Sequence, residues 1–209
     1  MLKPVLLTAI LGFLASSAHA DSILLELQPG SNAAATGDSI SLDIVVSGLG
    51  EFAPDSLGAF DITVGFDATA LSLTGYSLGP YLGDPSLSEA LDASSGDLGG
   101  SVNVAEVSLL STAGLDVLQP GSFTVATLNF DVTSLVLGAV TQLSVLPGAI
   151  LGDAFGAQLA VAGVGGASVA NVPVPGTFIL LLLPLGGLLA LGRARQAHRP
   201  PRQQAGTGH

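Results

Sequence analysis

Carboxylates are almost the only groups in this chain that could do chemistry. The stretch 21–172 contains no Lys, Arg, His or Cys, while all 16 acidic residues lie between Asp21 and Asp153. Without imidazole, thiolate, amine or guanidinium, the common nucleophile–base pairs and Schiff-base chemistry are ruled out. Zinc sites built on His and Cys are ruled out as well. Two roles remain for carboxylates alone, one catalytic and one metal-binding. A glycosidase needs two of them facing one another across a cleft, and calcium takes Asp oxygens together with loop carbonyls. Asp61 and Asp67 share a strand face but are separated by roughly 20 Å along it, at ~3.3 Å per residue. They do not form such a pair, and the sequence reads as a non-enzyme. The calcium candidates are Asp84, Asp92 and Asp97 in an irregular segment, with Asp153 in Gly152-Asp153-Ala154. None has EF-hand spacing, and a solvated turn aspartate is the plain alternative for each.

Three further features could bear on ligands. Tyr76 and Tyr81 flank Gly79-Pro80 and are the candidates for a small sugar-stacking platform, since the chain has no Trp. Glu106 lies between Ala105 and Val107 in a strand pattern; the position suits the wet face or a bulge, with partial burial as the functional alternative. Gly163-Val164-Gly165-Gly166 has no following helix to present amides to a phosphate. A domain without cations also has nothing to replace the counterions of a nucleic acid, so nucleic acid is not among the expected partners.

The elements that must position these residues are strands. Ile40, Leu42, Ile44 and Val46 alternate with Ser41, Asp43 and Val45, and Phe60, Ile62, Val64 and Phe66 with Asp61, Thr63 and Gly65. Period two gives one buried and one wet face. Leu71, Leu73 and Gly75 continue the pattern after a turn at Asp67–Thr69. Gln28-Pro29-Gly30, Gly83-Asp84-Pro85, Gln119-Pro120-Gly121 and Leu146-Pro147-Gly148 punctuate the chain as turns. Two strands change phase: Phe123 and Val125 give way to Leu128, Phe130 and Val132, and Val102 and Val104 to Val107 and Leu109. A β-bulge near Val125–Thr127 and another near Ala105–Glu106 would keep each set on one face. Residues 78–100 read as a long surface loop with a helical turn at Pro85–Leu91. Phe60, Phe66, Phe123 and Phe130 are assigned to the core. The expected fold is all-β, a two-sheet jelly-roll sandwich over 21–170.

The ends read as addresses. Lys3, an apolar run over Val5–Ala15 and Ala18-His19-Ala20 make residues 1–20 a signal peptide, cleaved after Ala20. At the other end Val172-Pro173-Val174-Pro175-Gly176 precedes an apolar stretch, Phe178–Leu191, and then Arg193 and Arg195. The arginines should stay cytoplasmic, which places 21–172 outside. A single transmembrane helix over this stretch is the expectation, with 196–209 as a disordered cytoplasmic tail.

The segment 171–195 resembles the PEP-CTERM sorting signal of exopolysaccharide-producing Gram-negative bacteria, with Val174 at the position of the usual Glu. That resemblance implies processing at Val172–Gly176 by an exosortase-type membrane protease. It also implies transient anchoring and a final place at the cell surface or in the extracellular matrix. The middle resembles the cohesin-like sandwiches, relatives of carbohydrate-binding modules. Gly37–Ile44, Leu57–Leu71 and Gly121–Asp131 carry that likeness. It implies an exported binding module contacting an unidentified protein or exopolysaccharide, with no cofactor other than the calcium considered above. The alternative is a passive acidic matrix protein, linked by calcium.

Overall fold

The computed structural model describes residues 22–172. The signal peptide with Ala18 and Ala20, the motif residues Pro173, Val174, Pro175 and Gly176, the apolar stretch, Arg193, Arg195 and the tail lie outside the described residues. No helix among the described residues is long and apolar enough to cross a membrane.

Twelve strands form two sheets. The first contains β1 (Ile23–Pro29), β2 (Ser39–Ser47), β4 (Leu71–Leu78), β8 (Ser122–Val132) and β11 (Val161–Val164), in the order β11-β1-β2-β8-β4. The second contains β3 (Leu57–Phe66), β5 (Ala90–Asp92), β7 (Ser101–Ser108), β9 (Val140–Val145) and β12 (Ala167–Ala170), in the order β12-β9-β3-β7-β5. Off this path, β6 (Gly96–Asp97) pairs with β7 and β10 (Ile150–Asp153) with β3. All pairings are antiparallel except β1 with β11. The architecture is the all-β two-sheet sandwich expected from the alternating strands.

The core follows the alternation. Ile40, Leu42, Ile44 and Val46 of β2 and Phe60, Ile62 and Val64 of β3 are all buried. Phe130 is fully buried and meets the half-buried Phe66 edge-on, with ring centroids 5.0 Å apart. Each such side chain removed from water contributes roughly 1.5–3 kcal/mol, and together they hold the sheets face to face.

The phase change in β8 is a bulge at the expected place. Ile44 pairs with Ala126 and Val45 with Thr124, so Val125 has no partner on β2. Val125 and Ala126 both point inward and are buried. The same reasoning fails for β7. Its register with β3 runs unbroken from Ala59↔Val107 to Gly65↔Ser101, and there is no bulge at Ala105–Glu106. The alternation simply continues, so Glu106 takes the inward position and Val107 the outward one, where it is 41 % exposed. An unexpected bulge lies in β4 instead, between Leu73 and Gly75. It turns Tyr76 and Leu78 towards the core.

The segment 78–100 is more structured than a loop. It makes 3-10 turns at Pro80–Leu82 and Pro85–Leu87 and then the short strands β5 and β6. Helical geometry ends at Leu87, and Ala90–Asp92 is strand, because Ser88 in the left-handed region stops the turn and sends the chain along β7. A seven-residue helix, α1 (Thr112–Leu118), connects β7 to β8; Ser111 caps it by accepting from the Gly114 N–H.

Candidate functional site

The outer faces of the two sheets differ. On β2, β8 and β4 the outward residues include Ser41, Asp43, Thr127, Asn129, Asp131, Ser72, Thr74 and Ser77, with Val45 as an exception. Thr127 donates to Asp43 at 2.6 Å and Ser39 to Asp131 at 2.7 Å, so part of this polar surface is already engaged with itself. The second sheet also has polar outward residues, Thr63, Asn103, Gln142 and Ser144 among them, but groups exposed aliphatics at one end. Leu91 of β5 sits opposite Val107 of β7, which sits opposite Ala59 of β3. Ile150 of β10 lies beside Asp61, itself opposite Ala105. Leu91 and Ile150 are 58 % and 51 % exposed. Asp61 lies within this patch and accepts from Asn103 Nδ2 at 2.6 Å. Exposed aliphatics grouped on one part of a sheet face form an apolar patch with a single carboxylate in it.

The two tyrosines are held by the core. Tyr81 is half-buried, its ring 4.8 Å from that of Phe123. Tyr76 is half-buried at the edge of β4, and its hydroxyl donates to Asp92 Oδ2 at 3.1 Å. Neither ring is offered to solvent as a free stacking surface.

The four aspartates considered for calcium each serve their own turn. Asp84 accepts from the Ser86 N–H and Asp97 from the Gly99 N–H. Asp92 accepts from the Ser94 N–H, and Asp153 from the N–H groups of Phe155 and Ala157. The bonds from Ser86 hold Asp84 below the usual carboxylate range. Partial burial pushes Asp92 up, but the bonds from Ser94 and Tyr76 outweigh this and hold it low. Among the described residues no three acidic or histidine side chains converge in a way that could hold a metal ion. A cavity of about 330 Å³ lies beside Asp84 and Glu89, walled by Leu78, Pro80 and Leu118.

Glu106 is the side chain that the sequence placed wrongly. It is 0 % exposed and has no hydrogen-bonding group within reach of either carboxylate oxygen. Its Cα partners are Phe60 on β3 and Asp92 on β5. Burial, and secondarily the charge of Asp92, push its pKa up to about 7. A raised carboxyl beside a depressed one is the electronic arrangement of an acid–base pair. Here the raised member is closed off inside the sandwich, so no substrate reaches it.

Gln119 was missed because it lies in a Gln-Pro-Gly turn. Its buried amide acts as a strand segment: Oε1 accepts from the Leu57 N–H at 2.7 Å, while Nε2 donates to the carbonyls of Leu57 and Tyr81 at 2.7 and 3.0 Å. This joins the end of α1 to the start of β3 and to the turn bearing Tyr81.

No protein-family model matches the sequence, and no curated protein matches it. Solved structures do. The sixth cohesin of scaffoldin B from Acetivibrio cellulolyticus, in complex with a Cel5 dockerin mutant, superposes with a TM-score of 0.58. The fold is cohesin-like. That match covers 72 % of this chain and 99 % of the cohesin at 20 % identity. The type I Coh-OlpA–Doc918 complex from Clostridium thermocellum gives 0.55 over 73 % and 100 % of the two chains, at 12 % identity. A type II cohesin domain from the cellulosome of Acetivibrio cellulolyticus gives 0.57 over 71 % and 95 %, at 15 % identity. The cohesin-like sandwich spans nearly the full length of these domains.

Proposed function

We propose that the chain is an exported protein-binding module that engages its partner through the outer face of the β9-β3-β7-β5 sheet. The single observation carrying this reading is the group of exposed aliphatics, Leu91, Val107 and Ile150, gathered around Asp61 on adjacent strands β5, β7, β3 and β10 of that sheet. Two of the similar cohesins are in complexes with dockerins, which supports a protein as the ligand. The inward-turned tyrosines give less support to polysaccharide contact. With no cation between 21 and 172, the partner should present an apolar ridge flanked by basic residues, one of them meeting Asp61.

The terminal segments support an outside location. In this reading residues 1–20 export the chain, and an exosortase-type protease processes Val172–Gly176 while the apolar stretch holds it at the membrane. The mature domain then resides at the cell surface or in the matrix.

The surface is tested with the double substitution Leu91→Asp and Val107→Asp, with Thr74→Asp and Ser77→Asp on the opposite sheet as control. Affinity capture from the producing cell's own surface and secreted fractions should recover one partner with the wild type and the control. The first double variant should lose it by at least 100-fold in affinity while keeping its melting temperature. Retention of the partner by that variant, or loss by the control alone, refutes the assigned face. Intact-mass measurement of the native protein tests the sorting arm: a C-terminus within Val172–Gly176 is expected, and a chain retaining Phe178–His209 refutes it.

A further inference from the structure

Glu106 is the only ionisable side chain among the fully buried polar residues of the described region, and no protein group satisfies it. An ionised carboxylate removed from water needs a compensating charge or donors. Here no compensating charge exists in the domain. The titratable groups on the strands and turn packed against β7 are Asp61 on β3, Asp92 on β5, Asp97 on β6, Tyr76 on β4 and Tyr81 in the first 3-10 turn. Asp61 is held by Asn103, Asp97 by the Gly99 N–H, Asp92 by Ser94 and Tyr76, and the Tyr81 ring lies on Phe123. All are acids or phenols. Neutralisation of Glu106 must therefore come from solvent. A calcium ion takes six to eight oxygen ligands, and no three acidic side chains gather among the described residues. A proton needs no ligand set.

The position of Glu106 gives that proton a mechanical role. Asp92 is its Cα partner at the sheet edge, and Asp92 is bonded to Tyr76 at the edge of the other sheet. Among the described residues, Tyr76–Asp92 is the one side-chain hydrogen bond that joins a strand of one sheet to a strand of the other. β5 is only three residues long and is held by β7 alone within its sheet. We propose that Glu106 is a proton-operated latch on this edge of the sandwich: protonated, it lets β5 lie against β7 with Asp92 bonded to Tyr76; ionised, it drives β5 outward so that water can reach the carboxylate. The latch needs no partner, but β5 also carries Leu91 of the proposed docking face, so its opening would displace part of that face.

The sign follows from linkage. The folded state holds the proton up to about pH 7, whereas the unfolded chain releases it near its ordinary value of 4.5. Between these limits the folded state binds more protons, so stability falls as pH rises and levels off above the folded pKa. The unfolding equilibrium constant should rise by roughly 300-fold across that window through this group alone.

Carbon-detected NMR titration of the full chain tests this directly, because it contains only four glutamates: Glu26, Glu51, Glu89 and Glu106. One carboxyl resonance should titrate near 7, and it should be absent in E106Q. Amide exchange supplies the second readout. The Ala93 N–H, bonded to the Ala105 carbonyl beside β5, should exchange faster above pH 7, relative to the Val132 N–H in the other sheet. In E106Q that ratio should not change with pH. Four resonances all titrating near 4–5 would overturn the proposal, as would an Ala93 ratio equally pH-dependent in E106Q.

Discussion

Replacing Gln119 with Leu removes one side-chain amide and should destabilise the domain as strongly as emptying part of its core. β3 pairs with β7 only from Ala59 onward, so the N–H and carbonyl of Leu57 lack a strand on that side. The Gln119 amide supplies both missing bonds and a third to the Tyr81 carbonyl. Leucine fills a similar volume but offers neither donor nor acceptor. Three bonds at roughly 1 kcal/mol each are lost, and the buried Leu57 N–H carries a further penalty of about 1–2 kcal/mol. The expected total is about 3–5 kcal/mol. For a domain of this size that lowers the melting temperature by roughly 10 °C. Urea unfolding followed by far-ultraviolet circular dichroism, with linear extrapolation, measures the loss directly. Q119E is the informative companion. It keeps the shape and the acceptor but sets a carboxylate against two carbonyls, so at neutral pH it should be no better than Q119L. If Q119L lies within 1 kcal/mol of wild type, the amide is not substituting for a strand and the reasoning is wrong.

Thr141 is buried on β9 with an unpartnered hydroxyl, so T141V, which keeps the shape and deletes the hydroxyl, should stabilise by about 1 kcal/mol in the same assay. Gly79 packs against the bulge in β8: its N–H bonds the Val125 carbonyl at 2.8 Å, and a Cβ there would lie 2.1 Å from the Thr124 oxygen. G79A should therefore cost about 3 kcal/mol and broaden the NMR signals of β8.

The strands that define the sandwich were legible because one face of each is wet. β2 and β3 alternate cleanly, and the β8 bulge was legible as a slip in that alternation. β7 shows why such a slip is ambiguous. Val107 and Leu109 could be apolar because a bulge turns them inward, or because the outer face is itself apolar. The structure takes the second course, which moves a glutamate inside and two aliphatics out. The same misreading hid both the exposed patch and the buried carboxyl. α1 was invisible for a different reason: it is seven residues long and buries only Leu115, which is too little for a helical period. Gln119 carries no local signal either, since its partners are 38 and 62 residues away in sequence.

Charge of a single sign has a colloidal consequence. A domain that exposes Leu91, Val107 and Ile150 should tend to adhere to its own copies. Here every copy bears acidic groups and no basic ones between residues 21 and 172, so two copies repel before their apolar faces meet. The barrier is an ionic atmosphere about one Debye length deep, ~8 Å at physiological salt and ~3 Å at 1 M. A positively charged molecule meets attraction across the same distance. The apolar face is therefore open to molecules of opposite charge and closed to its own kind, and concentrated salt removes both the attraction and the protection.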